Sequence, residues 1–170
     1  EEPRLIIKYD NDTESPREWL NIGLFLTVDN RYSSPDEQPT WIEIIKETGN
    51  KANSQEHHIE LIKSELEELG EEIVLIKPIV KYEHSGVSYS LGTKHGFDYS
   101  NNGFYIITKE TLEATGAENN EENLIKQIEG ELETYNKWVN GEVYRFRSFD
   151  EEGEEVDNCG GFYDIEDIKE

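Results

Sequence analysis

The chain has 170 residues, 34% of them hydrophobic and 32% charged, and its 39 Asp and Glu against 16 Lys and Arg leave a net charge of -23. That excess is far beyond what solubility requires: such a surface repels phosphate backbones and anionic membranes, and is drawn to basic surfaces by salt-sensitive steering. No run of 18 apolar residues and no charged-then-apolar start occurs, which predicts a soluble, intracellular protein without a membrane span or signal peptide.

Three Trp, nine Tyr and six Phe supply the burial that the modest aliphatic content does not. At this length a folded chain buries roughly 70% of its unfolded surface, so one core and one domain, residues 1–170, are expected. The pattern of elements predicts an α+β fold, a mixed or antiparallel sheet with two main helices packed on it. A lone Cys159 cannot close an internal disulfide, in keeping with a reducing compartment.

Residues 4–9 (Arg-Leu-Ile-Ile-Lys-Tyr) read as a first or edge strand, closed by the turn cluster Asp10-Asn11-Asp12. Asp10, Asp12 and Glu14 have the alternation of a calcium loop, but Ser15 occupies the glycine position and Asn21 the closing acid. Ser15-Pro16-Arg17-Glu18 has the form of a capping box that opens a helical turn. The apolar run 22–28 predicts a buried strand bounded by Asp29-Asn30, and residues 31–40 a loop.

A short helix is expected over 41–48, ending at Gly49-Asn50, and a firmer one over 54–69. In the latter, Ile59, Ile62, Leu66 and Leu69 make the apolar stripe and Gly70 the stop. His57 and His58 point in different directions from adjacent helical positions and read as surface residues. Strands are predicted over 72–81, 87–91 and 104–108 around the polar loop Glu83-His84-Ser85-Gly86, then a helical turn over 109–115 ended by Gly116.

The last long helix should span 121–140, capped by Asn120, with Leu124, Ile128, Leu132, Tyr135 and Val139 buried. Glu122 with Lys126, and Glu133 with Lys137, stand in the favourable four-residue order. Residues 142–149 alternate as a strand with a basic stripe, Arg145 and Arg147. A hairpin turn at 151–154 and a second strand over 156–163, interrupted by Gly160-Gly161, follow. Residues 150–170 hold ten acids against Lys169 alone.

No phosphate loop, nucleophile elbow or paired metal-ligand motif is present, so neither cofactor nor metal is expected; His84, His95 and Cys159 form no CxxC or HxxxH set. The sharpest catalytic pair is Cys159 with His84, a thiolate and an imidazole in glycine-adjacent loops that Asp157 or Glu83 would orient; a small thiol-dependent hydrolase or modifying enzyme is the alternative reading. What the composition favours is the carboxylates themselves, arranged to occupy a groove built for DNA. Three faces carry them: Glu60, Glu67, Glu68 and Glu71; Glu118, Glu122, Glu129 and Glu133; and the hairpin acids Asp150, Glu151, Glu152, Glu154, Glu155 and Asp157.

Several blocks carry a resemblance. They are Glu14-Ser15-Pro16-Arg17-Glu18-Trp19 with Asn21 and Gly23, Arg31-Tyr32, His84-Ser85-Gly86, and Gly103-Phe104-Tyr105 leading to Thr108-Lys109-Glu110. Glu131-Leu132-Glu133-Thr134-Tyr135, Gly141-Glu142-Val143-Tyr144, and Cys159 with Gly161-Phe162-Tyr163 follow in order. Through them the chain resembles a group of small proteins of tailed bacteriophages and prophages. It departs where Leu20 and Glu83 each replace an Asp, and where Phe97-Asp98-Tyr99-Ser100 replaces a Trp-Asp-Ser-Gly run. The resemblance implies a phage product in the host bacterial cytoplasm, where DNA-mimicking inhibitors of CRISPR effectors and restriction nucleases act. The expected partner is a basic nucleic-acid-binding protein, with no nucleic acid bound directly and no membrane; a homodimer is compatible with the sequence.

Overall fold

The computed structural model describes residues 2–28 and 33–169, and the chain is α+β, with five helices and two antiparallel sheets among the described residues. By its internal contacts it gathers into two compact units, Trp19–Leu132 and the pair of segments Glu1–Glu18 and Glu133–Glu170. Among the described residues no helix is long and apolar enough to cross a membrane.

The larger unit is built on a four-stranded sheet of order β2-β5-β3-β4, from β2 (Leu24–Thr27), β3 (Ile73–Glu83), β4 (Val87–Leu91) and β5 (Tyr99–Thr108). The near-continuous apolar runs of β3 and β5 suit strands covered on both faces. Ile79, Val80, Phe104, Tyr105, Ile106 and Ile107 are all buried. One face packs under α1 (Ile42–Lys51) and α2 (Gln55–Glu68), where Leu26, Ile42, Ile45, Ile62, Leu66, Ile76, Phe104 and Ile106 form one cluster. Each such side chain contributes about 1.5–3 kcal/mol of burial. Helix α3 (Lys109–Thr115) follows β5 directly, with Thr108 as its cap and Gly116 as its left-handed stop at φ 70°.

Helix α4 (Glu121–Val139) starts in the same unit. Its Leu124 and Ile128 are buried, Glu121 reaches Lys77 of β3 at 3.6 Å, and Glu131 accepts a hydrogen bond from the Tyr105 hydroxyl in β5.

Some expectations shift. Gly49 does not end α1, which continues to Lys51; a side chain at 49 would meet the His58 ring at 3.1 Å, so this glycine serves helix packing. His58 is correspondingly not a surface residue. Its Nε2 pairs with the Ile45 carbonyl at 2.9 Å and its ring stands edge-on to Phe104 at 5.0 Å. Strand β5 begins at Tyr99, five residues before the expected start, since Tyr99 and Ser100 pair with Tyr82 and Lys81 beyond a register shift. The turn signal Asp29-Asn30, the start of the expected loop at Arg31-Tyr32, and Glu170 of the tail lie outside the described residues.

The smaller unit holds a three-stranded sheet of order β1-β6-β7, from β1 (Arg4–Tyr9), β6 (Tyr144–Phe149) and β7 (Glu155–Phe162). The basic-striped strand is central, and β1, expected as a first or edge strand, is an edge. The sequence predicted one sheet; the chain closes this second one around strand segments from its two ends. Ser15-Pro16-Arg17-Glu18 makes only a 3-10 turn, Pro16–Glu18, with the Arg17 N–H donating to Ser15 Oγ at 3.1 Å. No apolar stripe follows to carry a helix further. The acidic tail forms α5 (Ile165–Lys169), which rests against β6 and β7 through buried Ile168.

Candidate functional site

Helix α2 is fixed by Ser54, whose Oγ accepts the His57 N–H at 3.1 Å, and by Ile62 and Leu66, both fully buried. With that side turned inward, Glu56, Glu60, Glu67 and Glu68 stand exposed, while Glu71, just past the helix, is half-buried. Glu56, Glu60 and Glu67 are separated by four and seven residues, which keeps them on one stripe at steps of about 6 and 10.5 Å along the axis. The last turn of α2 contains no cation, yet Glu67 and Glu68 lie there. Carboxylates at a helix C-terminus face the negative end of the macrodipole and destabilise the helix. Among the described residues none of Glu60, Glu67 and Glu68 has a cation within ion-pair distance.

On α4 the same steps recur in reverse order: Glu122, Glu129 and Glu133 fall on one exposed stripe, and Glu118 lies in the segment before the helix. Glu122 pairs with Lys126 at 3.6 Å and Glu133 with Lys137 at 3.9 Å. Exposed pairs of this kind contribute at most about 1 kcal/mol and are screened by salt, so the stripe remains anionic. Glu121, Glu122, Lys126 and Glu129 surround a shallow depression floored by Ile125.

The hairpin acids divide by role. Asp150 is turned into its own turn, where Oδ1 accepts the N–H groups of Glu152 and Glu154, each at 2.9 Å, and Gly153 supplies the positive φ of 82°. Glu155 is gripped by Arg147 in two bonds of 3.1 and 3.3 Å, which holds its carboxyl below the usual range and raises the guanidinium. Asp157 accepts the Asn158 N–H at 2.8 Å. Glu151, Glu152 and Glu154 are exposed at the turn.

Cys159 and His84 belong to different units. Cys159 is exposed on β7, its thiol 3.7 Å from the Gly160 carbonyl, and the described residues of its unit contain no histidine. His84 sits in the turn between β3 and β4, beside Ser85 with its positive φ of 58°. Its Nδ1 lies 3.6 Å from Asp98 Oδ2, so the acid facing this imidazole is Asp98, where Asp157 or Glu83 was expected.

Two polar anchors were not singled out by sequence reasoning. In the larger unit the Tyr105 oxygen accepts the Gly23 N–H at 3.0 Å and donates to Glu131, whose second oxygen accepts the Ile22 N–H at 3.0 Å. A side chain on Gly23 would meet the Ile106 carbonyl at 2.5 Å. In the smaller unit the buried Asp10 carboxylate accepts the Gly161 N–H at 2.9 Å and the Asp12 N–H at 3.2 Å. The calcium-like spacing around Asp10 is therefore occupied by backbone donors. Gly23, Tyr105, Glu131 and Gly161 fall in blocks that carry the resemblance, whereas Asp10 stood out only through its calcium-like spacing. Compared with known proteins, the chain matches no family model, no curated protein and no solved structure.

Proposed function

We propose that this protein inhibits a DNA-targeting complex by offering rows of carboxylates to a basic nucleic-acid groove. The observation that carries the reading is the stripe Glu56, Glu60 and Glu67 on α2, exposed and free of cations in the helix's last turn. Its span of about 16.5 Å from 1.5 Å per residue is close to five phosphate steps of about 3.4 Å along one DNA strand. Carboxylates kept at the wrong end of a helix dipole are disfavoured for stability, which supports selection for the charge they display. The stripe on α4 repeats the arrangement beside Ile125, an apolar anchor of the kind binding sites place among charges.

The resemblance to tailed-phage proteins supplies the setting: the bacterial cytoplasm, with a CRISPR effector or restriction nuclease as the partner. Salt governs such a complex, because the attraction is between surface charges that screening weakens. The test is co-purification from host lysate with wild-type protein and with Glu60→Lys/Glu67→Lys/Glu68→Lys. The wild type should recover a basic nucleic-acid-binding protein at low salt and lose it as salt rises, and the variant should recover none. Capture of no such protein, or equal capture by the variant, would refute the proposal.

A further inference from the structure

We infer that the basic face of the three-stranded sheet is a self-association surface that pairs with the acidic hairpin tip of a second copy. Strand alternation puts Arg4, Ile6 and Lys8 of β1 on the same face as Phe149, Arg147 and Arg145, the residues directly across from them on β6. Four of the chain's 16 Lys and Arg are thus gathered on one small face of a strongly acidic protein. Arg4 and Arg147 both lie over the Phe149 ring, at 4.8 and 5.1 Å to its centroid. Arg147 is held by Glu155 and Arg145 donates to Asn158 at 2.9 Å. Among the described residues no carboxylate lies within ion-pair distance of Arg4, Lys8 or Arg145.

The pair Lys8 and Arg145 is the telling one. Like charges directly opposite in an antiparallel ladder destabilise it; Asn158 and the more distant Glu155 of β7 offset Arg145 in part, and no carboxylate of the described residues lies within ion-pair distance of Lys8. An anion from outside would relieve the pair. The chain supplies one, because Glu151, Glu152 and Glu154 are exposed at the turn that ends the same strand. Let a two-fold axis run across the strands at Ser148, relating two sheets packed face to face about 10 Å apart. Residue 145 then lies about 10 Å to one side of the axis, at roughly 3.3 Å per residue, and the turn that begins just past Phe149 lies on the other side. Each tip covers the partner's Lys8 and Arg145, each Arg147 meets the partner's Phe149, and the exposed Ile6 is covered near the centre.

Three strands about 4.8 Å apart and about 20 Å long present roughly 280 Å² of sheet, well under the ~800 Å² per partner of a stable complex. The dimer is therefore weak and concentration-dependent. The remote charges of two acidic chains do not forbid it, since a Debye length of about 8 Å at physiological salt screens them while the contact pairs persist.

Charge exchange tests this directly, independently of any inhibitory activity. Sedimentation velocity of the whole chain should show a monomer–dimer equilibrium. Lys8→Glu/Arg145→Glu, and separately Glu151→Lys/Glu152→Lys/Glu154→Lys, should each weaken it at least tenfold. Mixing the two variants should restore a dimer, because both contacts then join opposite charges. Circular dichroism checks that each variant folds; one that does not is replaced by Lys8→Gln/Arg145→Gln or Glu151→Gln/Glu152→Gln, for which the same loss is expected. A wild-type chain that stays monomeric to millimolar concentration, folded variants that associate as the wild type does, or a folded charge-exchanged pair that does not associate on mixing overturns the inference. So does a monomer that uses Lys8 and Arg145 to bind a labelled single-stranded oligonucleotide.

Discussion

Replacing Gly160 with Ala should destabilise the smaller unit through one neighbour, the Asp10 carboxylate. A methyl group at 160 would sit 2.3 Å from Asp10 Oδ2, over an ångström inside ordinary contact, and that oxygen is the acceptor of the Gly161 N–H. The carboxylate must swing away and lose this bond, at a cost of about 1.5–3 kcal/mol for a hydrogen bond to a charged group. Asp10→Ala alone loses the Gly161 and Asp12 bonds together, about 3–6 kcal/mol on the same scale. In the double variant the obstacle is gone. The next contact, Arg145 Cβ at 3.5 Å, is ordinary, and Gly160 does not have a positive φ. Gly160→Ala on that background should be neutral, or stabilising by about 0.4–1 kcal/mol through the unfolded chain. Urea unfolding of the four proteins should thus give a coupling of about 1.5–4 kcal/mol. Additivity within about 0.5 kcal/mol, the usual range for independent sites, would refute the account of the Asp10 anchor.

Three further outcomes follow from the structure. Tyr105→Phe keeps the ring but removes the hydroxyl between Gly23 and Glu131, and should destabilise the larger unit by about 2–4 kcal/mol in denaturant titration. Gly23→Ala should cost at least as much, since the Ile106 carbonyl it meets is backbone in the sheet; soluble protein of unchanged stability would contradict the close approach. Burial, and then the nearby Glu14 carboxylate, raise the Tyr163 phenol above its ordinary 10.0. The fold favours the neutral phenol, so its contribution is complete below pH 10 and is lost as pH rises through the raised value. Tyr163→Phe should therefore flatten the alkaline decline of stability.

How far the sequence carried is best seen in particular elements. The stripe at three- and four-residue steps with Gly70 predicted 54–69, and α2 is Gln55–Glu68; α4 and α3 are matched as closely in their bounds, but Leu69 and Val139, placed on the apolar stripes at the helix ends, are exposed. Periodicity with a cap is a local property, so no knowledge of partners is needed. Gly49 was misread because a helix stop and a close helix contact call for the same residue. The early start of β5 was missed because Tyr99-Ser100-Asn101-Asn102 has no apolar alternation; pairing with β3 alone makes it a strand.

The acidic faces were legible as residue types, and their exposure on α2 and α4 follows from the apolar stripes opposite them. What spacing could not give was the division of labour in the hairpin. Asp150 is a turn residue, Glu155 is Arg147's partner, and Glu151, Glu152 and Glu154 remain displayed. Those roles depend on which backbone donors and which cation the turn brings within reach.

The central claim is that the carboxylate rows take the place of DNA. Its most direct measurement is displacement of a labelled duplex from the purified effector recovered by co-purification, followed by fluorescence anisotropy at low salt. The wild-type protein should release the duplex in a dose-dependent manner, and Glu60→Lys/Glu67→Lys/Glu68→Lys should leave it bound. A duplex that stays bound in excess wild-type protein, or that the variant releases equally well, would contradict the account.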